Sequence, residues 1–211
     1  MLDKKTIREF MSELASNSPA PGGGSVSAVA ASLSASLVSM VCNLTIGKKS
    51  YEALSEEEKL QVDNSLKVCD VVKDEFLDLM NEDTEVFLEL MKAFKMPKES
   101  DEEKKARSAK IQLGYKGSLE VPLKTAKKTF SLYDYILAVA KYGNKNAVSD
   151  AGVAALMAQS GLESAILNVK INVTSIKDEE YVKNVKAEIE HLVNDGRARR
   201  DEILAIVESK L

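Results

Sequence analysis

The sequence has few of the residues on which metal and nucleophile chemistry usually depends. It contains one histidine, His191, no tryptophan, and two cysteines, Cys42 and Cys69, among 211 residues. The cysteines are far apart and form no C-x-x-C pair, so we expect two buried thiols in a reducing compartment rather than a disulfide framework. No G-x-S-x-G elbow is present. These absences leave zinc, Cys–His and serine-hydrolase chemistry without support, and we expect His191 to be a solvated helix residue.

Charge and targeting signals are equally sparse. The net charge is −4 and the chain has no long run of lysine and arginine, which gives no reason to expect a nucleic-acid partner. The N-terminus passes directly into mixed charges and lacks the apolar core of a signal peptide. We therefore expect a cytoplasmic protein.

One long stretch lacks charged side chains altogether. Residues 14–47 carry none, a length that would be sufficient to cross a membrane. Residues 25–40, however, include six serines and four alanines, and no aromatic belt stands at either end. We therefore predict a buried central helix and no membrane partner.

Hydrophobic spacing predicts an all-α protein. Apolar residues recur at helical intervals, and S-x-x-E capping boxes at 55–58 and 100–103 mark two helix starts. No repeat or linker divides the chain, so residues 1–211 are predicted to form one helical-bundle domain with long helices. The predicted helices cover 3–16, 25–46, 55–94, 100–142, 149–173 and 178–210, with a kink or interruption in the fourth near Gly117 and Pro122.

Two of these helices, 25–46 and 149–173, are small or apolar on nearly every side. A helix without a polar face must be enclosed by neighbours. A two-fold homodimer is an economical way for a chain of this size to enclose two such helices, although the long charged helices could also cover them. We therefore predict a homodimer.

The segment PAPGGGS, residues 19–25, directly precedes the first of these apolar helices. It is neither a Walker loop nor a G-x-G-x-x-G fingerprint, because no Gly-Lys-Ser/Thr follows it and no strand precedes it. Glycines let a ligand approach the main chain, and their amides stand at the positive end of the following helix. Such a turn can bind a carboxylate, a phosphate or the polar edge of a heterocycle. The alternative is a tight connection that only needs positive φ angles.

A second polar segment is GNKNAVSDAG, residues 143–152. Its donors and acceptors crowd into a loop and the first turn of the next helix, where Asp150 could simply cap the helix. The functional interpretation is that Asp150 and the neighbouring asparagines point into a cleft beside the glycine turn.

Two further segments offer charges. Lys48 and Lys49 follow the first apolar helix, where they could stabilise the helix dipole or supply positive charge for an anionic ligand. Asp83 lies within a long helix, where carboxylates are usually solvated.

The segments PAPGGGSVSA, TIGKKSY, GNKNAVSDAGVAA and NVKIN, taken together, resemble the formiminotetrahydrofolate cyclodeaminase and methenyltetrahydrofolate cyclohydrolase family. They occur in the same order and at similar spacing over most of the chain. The resemblance implies an all-helical homodimer. In animals this domain is fused to a formiminotransferase, and the chain is expected to be a stand-alone version.

The resemblance also implies a chemistry without metal or redox cofactors. In cyclodeamination, N10 of the folate attacks the formimino carbon on N5, closes a ring and expels ammonia. In cyclohydrolysis, water attacks the methenyl carbon of 5,10-methenyltetrahydrofolate and the ring opens to 10-formyltetrahydrofolate. Both reactions need orientation and proton transfer, so the tetrahydrofolate derivative is a substrate and no cofactor is expected.

With this resemblance, the polar residues acquire hypothetical roles. Asp150 is the first candidate to move protons at N5 or N10, or to bind the donor edge of the pterin, and Asp83 is a weaker second carboxylate. Lys48 or Lys49 would meet the glutamate carboxylate of the folate. The other predicted substrate-binding residues, which would admit and orient the folate, are Pro21, Gly22, Gly23, Gly24, Ser25, Asn144, Asn146 and Ser149.

Two alternatives stay open at this level. The same scaffold could catalyse cyclohydrolysis without deamination. The chain could also be a non-enzymatic helical dimer that binds a folate or a partner through the glycine turn.

Overall fold

Reciprocal capping boxes begin three of the helices. Thr6, Ser55 and Ser100 each accept a hydrogen bond from the main chain three residues on, and the glutamate at that position bonds back to the cap. The computed structural model describes all residues 1–211 and contains helices without strands. The α-helices are α1 (Ile7–Leu14), α2 (Gly23–Thr45), α3 (Lys49–Glu52), α4 (Glu56–Phe94), α5 (Asp101–Phe130), α6 (Leu132–Tyr142), α7 (Val148–Val173) and α8 (Glu179–Glu208).

The two apolar helices, α2 and α7, form the centre of the bundle and run antiparallel. Gly161 of α7 packs so closely that an added Cβ would lie 3.1 Å from the Ser27 carbonyl oxygen of α2. The buried Ser34 hydroxyl donates to the Ala154 carbonyl at 2.8 Å. Small residues therefore let the two backbones approach each other, as their composition predicts.

The amphipathic helices surround this pair. Helices α4 and α5 pack against α2 and α7, while α6 and α8 close the side next to α7. Their apolar stripes supply bulky side chains to one continuous core, including Phe76, Leu119, Leu132, Tyr133 and Ile136, and Leu162 and Ile166 of α7 belong to the same core. The predicted all-α class is confirmed.

The break in the predicted 100–142 helix lies elsewhere than expected. Helix α5 continues through Gly117 and Pro122, and the chain divides into α5 and α6 at Ser131. Pro122 is buried, and its neighbours Val121 and Leu123 are buried beside it. Tertiary packing thus holds the helix together where proline removes one backbone hydrogen bond.

One side of the α2–α7 pair is left uncovered by the rest of the chain. Each helix leaves a stripe of apolar side chains at least 38% exposed. This outer face consists of Val26, Leu33, Met40 and Leu44 on α2 and Val153, Leu156, Leu167 and Ile171 on α7. Helix α2 is long and apolar enough to cross a membrane, but 67% of its apolar window is buried inside the fold, as in a core helix.

Candidate functional site

The glycines of the turn let neighbouring side chains come close to the main chain, and they are not needed for unusual backbone angles. None of its glycines has a positive φ, since Gly47 is the one such residue in the chain. The Ala20–Pro21 peptide is cis, and Gly22 is the N-cap of α2. An added Cβ on Gly23 would lie 3.2 Å from Nδ2 of Asn168, and one on Gly24 would lie 2.6 Å from Cγ of Asp83. Neighbouring side chains thus come close to the main chain at Gly23 and Gly24.

The carboxylate that approaches Gly24 belongs to Asp83 of α4. The Ser25 hydroxyl donates to Oδ2 of Asp83 at 2.9 Å and lies 3.3 Å from the Thr84 hydroxyl. Burial raises the pKa of Asp83 above its ordinary value, while hydrogen bonds from Ser25 oppose part of that rise. Asp83 is therefore a partly desolvated carboxyl group at the positive end of a helix, which is the environment of many proton-transferring residues.

Asp83 and the glycine turn line one cavity of about 400 Å³. Its apolar wall comes from α4, α5 and α7, and the rings of Phe94 and Tyr115 meet edge to face there at 6.0 Å. Asp83 is the one charged residue in the lining. The apolar lining residues besides these rings are Ala20, Phe87, Leu90, Met91 and Ile171.

The opposite wall presents amides and a hydroxyl. Asn172 donates to the carbonyl oxygens of Ser118 at 3.0 Å and Asn168 at 2.9 Å. The Ser118 side chain is buried, lines the cavity, and has no hydrogen-bond partner for its hydroxyl. A buried polar atom normally has a partner, so this hydroxyl is available to a ligand.

Sequence reasoning missed most of this wall. Asn168 and Asn172 lie in the NVKIN segment, where their four-residue spacing on one helix face was the available signal. No local signal marked Ser118 or the aromatic residues, because neither α4 nor α5 has an obvious functional motif around them.

The other predicted polar segments lie at the opposite end of the α2–α7 pair. The Asn144 main-chain amide donates to the Thr45 hydroxyl at 2.8 Å, and its side chain donates to the Leu44 carbonyl at 2.9 Å. These contacts fix the loop against the C-terminus of α2. Lys48, Lys49, Asn146 and Ser149 are exposed there, and Asp150 is half-buried.

The prediction that Asp150 and the glycine turn share a hollow is therefore wrong within one chain. Asp150 is 18 residues from Asn168 along α7, a separation of about 27 Å at the rise of an α-helix. The physical reason is the antiparallel packing, which places the N-termini of α2 and α7 at opposite ends. We call these the glycine-turn end and the asparagine-loop end. Asp83, predicted as the weaker carboxylate, is the one that lies beside the glycines.

The remaining candidates behave as structural residues. His191 is exposed and lies 3.2 Å from the Asp195 carboxylate one turn on. Both cysteines are buried, and desolvation raises the pKa of each thiol to about 12, which leaves them unreactive.

A larger groove between α4 and α5 has no unpaired lysine to offer to an anionic ligand. Its lysines are all in ion pairs: Lys124 with Glu82 at 3.5 Å, Lys127 with Glu188 at 2.7 Å, and Lys128 with Glu75. Compared with this groove, the smaller cavity at the glycine turn is the better candidate site.

These features define an all-α protein with one ligand-sized cavity at a helix N-terminus. The Formiminotransferase-cyclodeaminase family model matches residues 6–191, so the chain belongs to that family. The chain is 39% identical to the methenyltetrahydrofolate cyclohydrolase of Methylorubrum extorquens over the whole of both proteins. It is 32% identical to the formimidoyltransferase-cyclodeaminase of Gallus gallus, of which it spans 37%.

Similarity to a solved structure extends over the whole chain. The crystal structure of formiminotetrahydrofolate cyclodeaminase from Thermotoga maritima superposes with a TM-score of 0.80. That protein is 25% identical, and the match covers 100% of this chain and 98% of the other. The family predicted from the four sequence segments is confirmed.

Proposed function

We propose that this protein is a folate one-carbon enzyme whose principal reaction is the hydrolysis of 5,10-methenyltetrahydrofolate to 10-formyltetrahydrofolate. The observation that carries the proposal is the cavity in which Asp83, with its raised pKa, faces the main chain of Gly24. The full-length similarity to a methenyltetrahydrofolate cyclohydrolase supports this choice of reaction.

The cavity suits the parts of a tetrahydrofolate. Asn168, Asn172 and the unpartnered Ser118 hydroxyl offer donors and acceptors for the amide and amine edge of the pterin. Phe94 and Tyr115 provide aromatic surface for its rings. The bare turn admits the substrate to the N-terminal amides of α2.

Asp83 is placed to move the protons of the reaction. As a carboxylate it accepts a proton from the water that attacks the methenyl carbon, giving a neutral tetrahedral adduct. The same group then protonates N5 as the bond from that carbon to N5 breaks. The hydroxyl of the adduct releases its proton to solvent as the carbonyl forms, and the carbon remains on N10 as a formyl group. Ser25 holds the carboxylate in place through its 2.9 Å hydrogen bond.

Cyclodeamination is the second candidate, favoured by the Thermotoga relative of the same fold. In that reaction Asp83 would accept the N10 proton as N10 attacks the formimino carbon and would then protonate the departing nitrogen, releasing ammonia. Neither reaction changes an oxidation state. Because Asp83 can carry out the proton transfers that both reactions need, we propose that the protein works without a metal or redox cofactor. We also propose that it acts in the cytoplasm, where its two free cysteines would stay reduced.

We further propose that the working protein is a homodimer joined through the outer face. The apolar side chains of α2 and α7 are exposed as two adjacent stripes. A contiguous apolar surface of this kind marks an interaction site.

Both substrates should be assayed with the purified protein. Loss of methenyl absorbance measures cyclohydrolysis, and ammonia release from 5-formiminotetrahydrofolate measures cyclodeamination. We expect the first to be faster. Binding of both folates without turnover of either would overturn the proposal and favour a non-enzymatic folate-binding dimer.

A further inference from the structure

The candidate site is incomplete as one chain builds it. Its lining contains one charge, the Asp83 carboxylate, and no lysine or arginine to meet the negative glutamate of a folate. It is also open at one edge. Ile171 belongs to the cavity wall and to the outer face at once, and it is 67% exposed.

The outer face is large enough to hold a second copy. Helix α2 is about 35 Å long, and two helices side by side are about 20 Å wide. The outer face therefore has an area of about 700 Å², which approaches the area that each partner buries in a standard interface. Because Ile171 lies on this face, the second copy would cover the open edge of the cavity.

Two arrangements place this face against itself with two-fold symmetry. If the axis runs along the helices, each glycine-turn end meets the same end of the partner. If the axis runs across the helices, each glycine-turn end meets the partner's asparagine-loop end.

The charges favour the second arrangement. Lys48, Lys49, Lys145 and Lys210 lie near the asparagine-loop end, and none forms a salt bridge with an acidic residue in the chain. An axis along the helices would crowd these lysines against their own copies. An axis across the helices would bring them to the cavity that contains Asp83 and lacks a cation; Lys170, the exposed lysine of α7 at that end, lies outside the cavity lining.

We propose that each active site is shared between two subunits. The glycine turn, Asp83 and the amide wall come from one chain. The partner's Asp150 supplies a second carboxylate near the reacting folate, and the partner's Lys48 and Lys49 bind its glutamate carboxylate. This inference rests on the proposed folate substrate for its chemistry, but its geometry can be tested without any substrate.

The geometric test is cross-linking of the intact protein with a short amine-reactive reagent. Lys170 is exposed near the glycine-turn end of α7, while Lys48 lies at the other end of the helix pair, about 35 Å away. The two amines are too far apart for a short reagent to link them within one chain. A mixture of ¹⁵N-labelled and unlabelled protein should therefore give mixed-isotope Lys170–Lys48 or Lys170–Lys49 peptides. Links confined to Lys170–Lys170 pairs would overturn the shared site.

The catalytic test uses heterodimers purified with two different affinity tags. One subunit carries Asp83→Asn and the other Asp150→Asn, after each homodimer has been shown to be folded and nearly inactive. A shared site leaves one of the two sites intact, so the heterodimer should have about half of the wild-type activity.

The matched control pairs a wild-type subunit with one carrying both substitutions. If the sites are shared, each of the two sites contains one substituted carboxylate, and the heterodimer has almost no activity. If each site lies within one chain, the wild-type subunit is intact and the heterodimer has about half of the wild-type activity. Half activity in this control, or full activity of the Asp150→Asn homodimer, would overturn the proposal. If the wild-type protein turns over neither folate, the proposed function fails, and the cross-linking result still decides the shared geometry.

Discussion

The two ends of the α2–α7 pair carry similar residues in very different surroundings. At the glycine-turn end, Asp83 is partly buried against Gly24, and burial raises its pKa. At the asparagine-loop end, Asn146 and Ser149 are exposed, and Asp150 forms no hydrogen bond or salt bridge through its side chain. One end encloses a cavity, while the other presents a surface.

The comparison shows that residue type alone does not identify a catalytic carboxylate. Asp150 has the sequence context of a functional residue, and Asp83 has that of a solvated helix residue. What separates them is contact with a distant part of the chain: Ser25, 58 residues away, bonds to Asp83. Substitutions at each end in turn measure how much of the catalytic activity depends on that end.

The largest effect is expected from Asp83→Asn. The amide keeps the shape of the side chain but cannot accept the proton from water, so kcat should fall by about 10²- to 10⁴-fold. Steady-state loss of methenyl absorbance measures this. The matched control is Asp78→Asn on the exposed side of the same helix, which should be fully active. Near wild-type turnover by the Asp83 variant would remove this residue from the mechanism.

Gly24→Ala should have the next largest effect. The new methyl group would overlap Oδ1 of Asp83, and the carboxylate must swing away. A displacement of about 1 Å at a catalytic group can cost about 10²-fold in rate. Stability should change little, because alanine favours a helix by about 1 kcal/mol over glycine.

The control for that substitution lies two residues earlier. A Cβ on Gly22 would meet nothing within 4 Å, and its φ of −139° suits any residue. Gly22→Ala should therefore leave the Asp83 carboxylate in place and lose less activity than Gly24→Ala. Equal losses in both variants would show that the turn needs glycine for a reason other than the approach of Asp83.

The sequence predicts the fold better than the site for a physical reason. Capping boxes and apolar spacing are local, so the helix limits near Ser55 and Ser100 could be read directly. The relative direction of α2 and α7 is set by contacts such as Ser34 with Ala154, which no local pattern encodes. The pairing of Asp150 with the glycine turn within one chain fails because that direction was missing.

A smaller effect is expected from Ser118→Ala in the amide wall. Its hydroxyl is buried without a partner in the free protein, so removing it should leave stability unchanged or slightly improved. If the folate supplies the missing partner, KM should rise about tenfold, the equivalent of about 1.4 kcal/mol, with kcat nearly constant. Titration calorimetry with a folate checks the affinity directly. An unchanged KM would exclude this hydroxyl from substrate binding.

The smallest effect concerns the pH dependence of stability at the glycine-turn end. Because the pKa of Asp83 is higher in the fold than its ordinary value of 3.8, its contribution to stability is fully present below pH 3.8. That contribution is lost as the pH rises through the folded-state pKa, since the buried group must then carry a charge. Asparagine does not titrate, so the Tm of the wild type minus that of Asp83→Asn should fall as the pH is raised from 3 to 8. The same subtraction with Asp78→Asn removes effects common to exposed carboxylates. A Tm difference that stays flat or rises with pH would contradict this, because it would mean that folding does not disfavour the charged form of Asp83. The burial of Asp83 would then not distinguish the glycine-turn end from the asparagine-loop end.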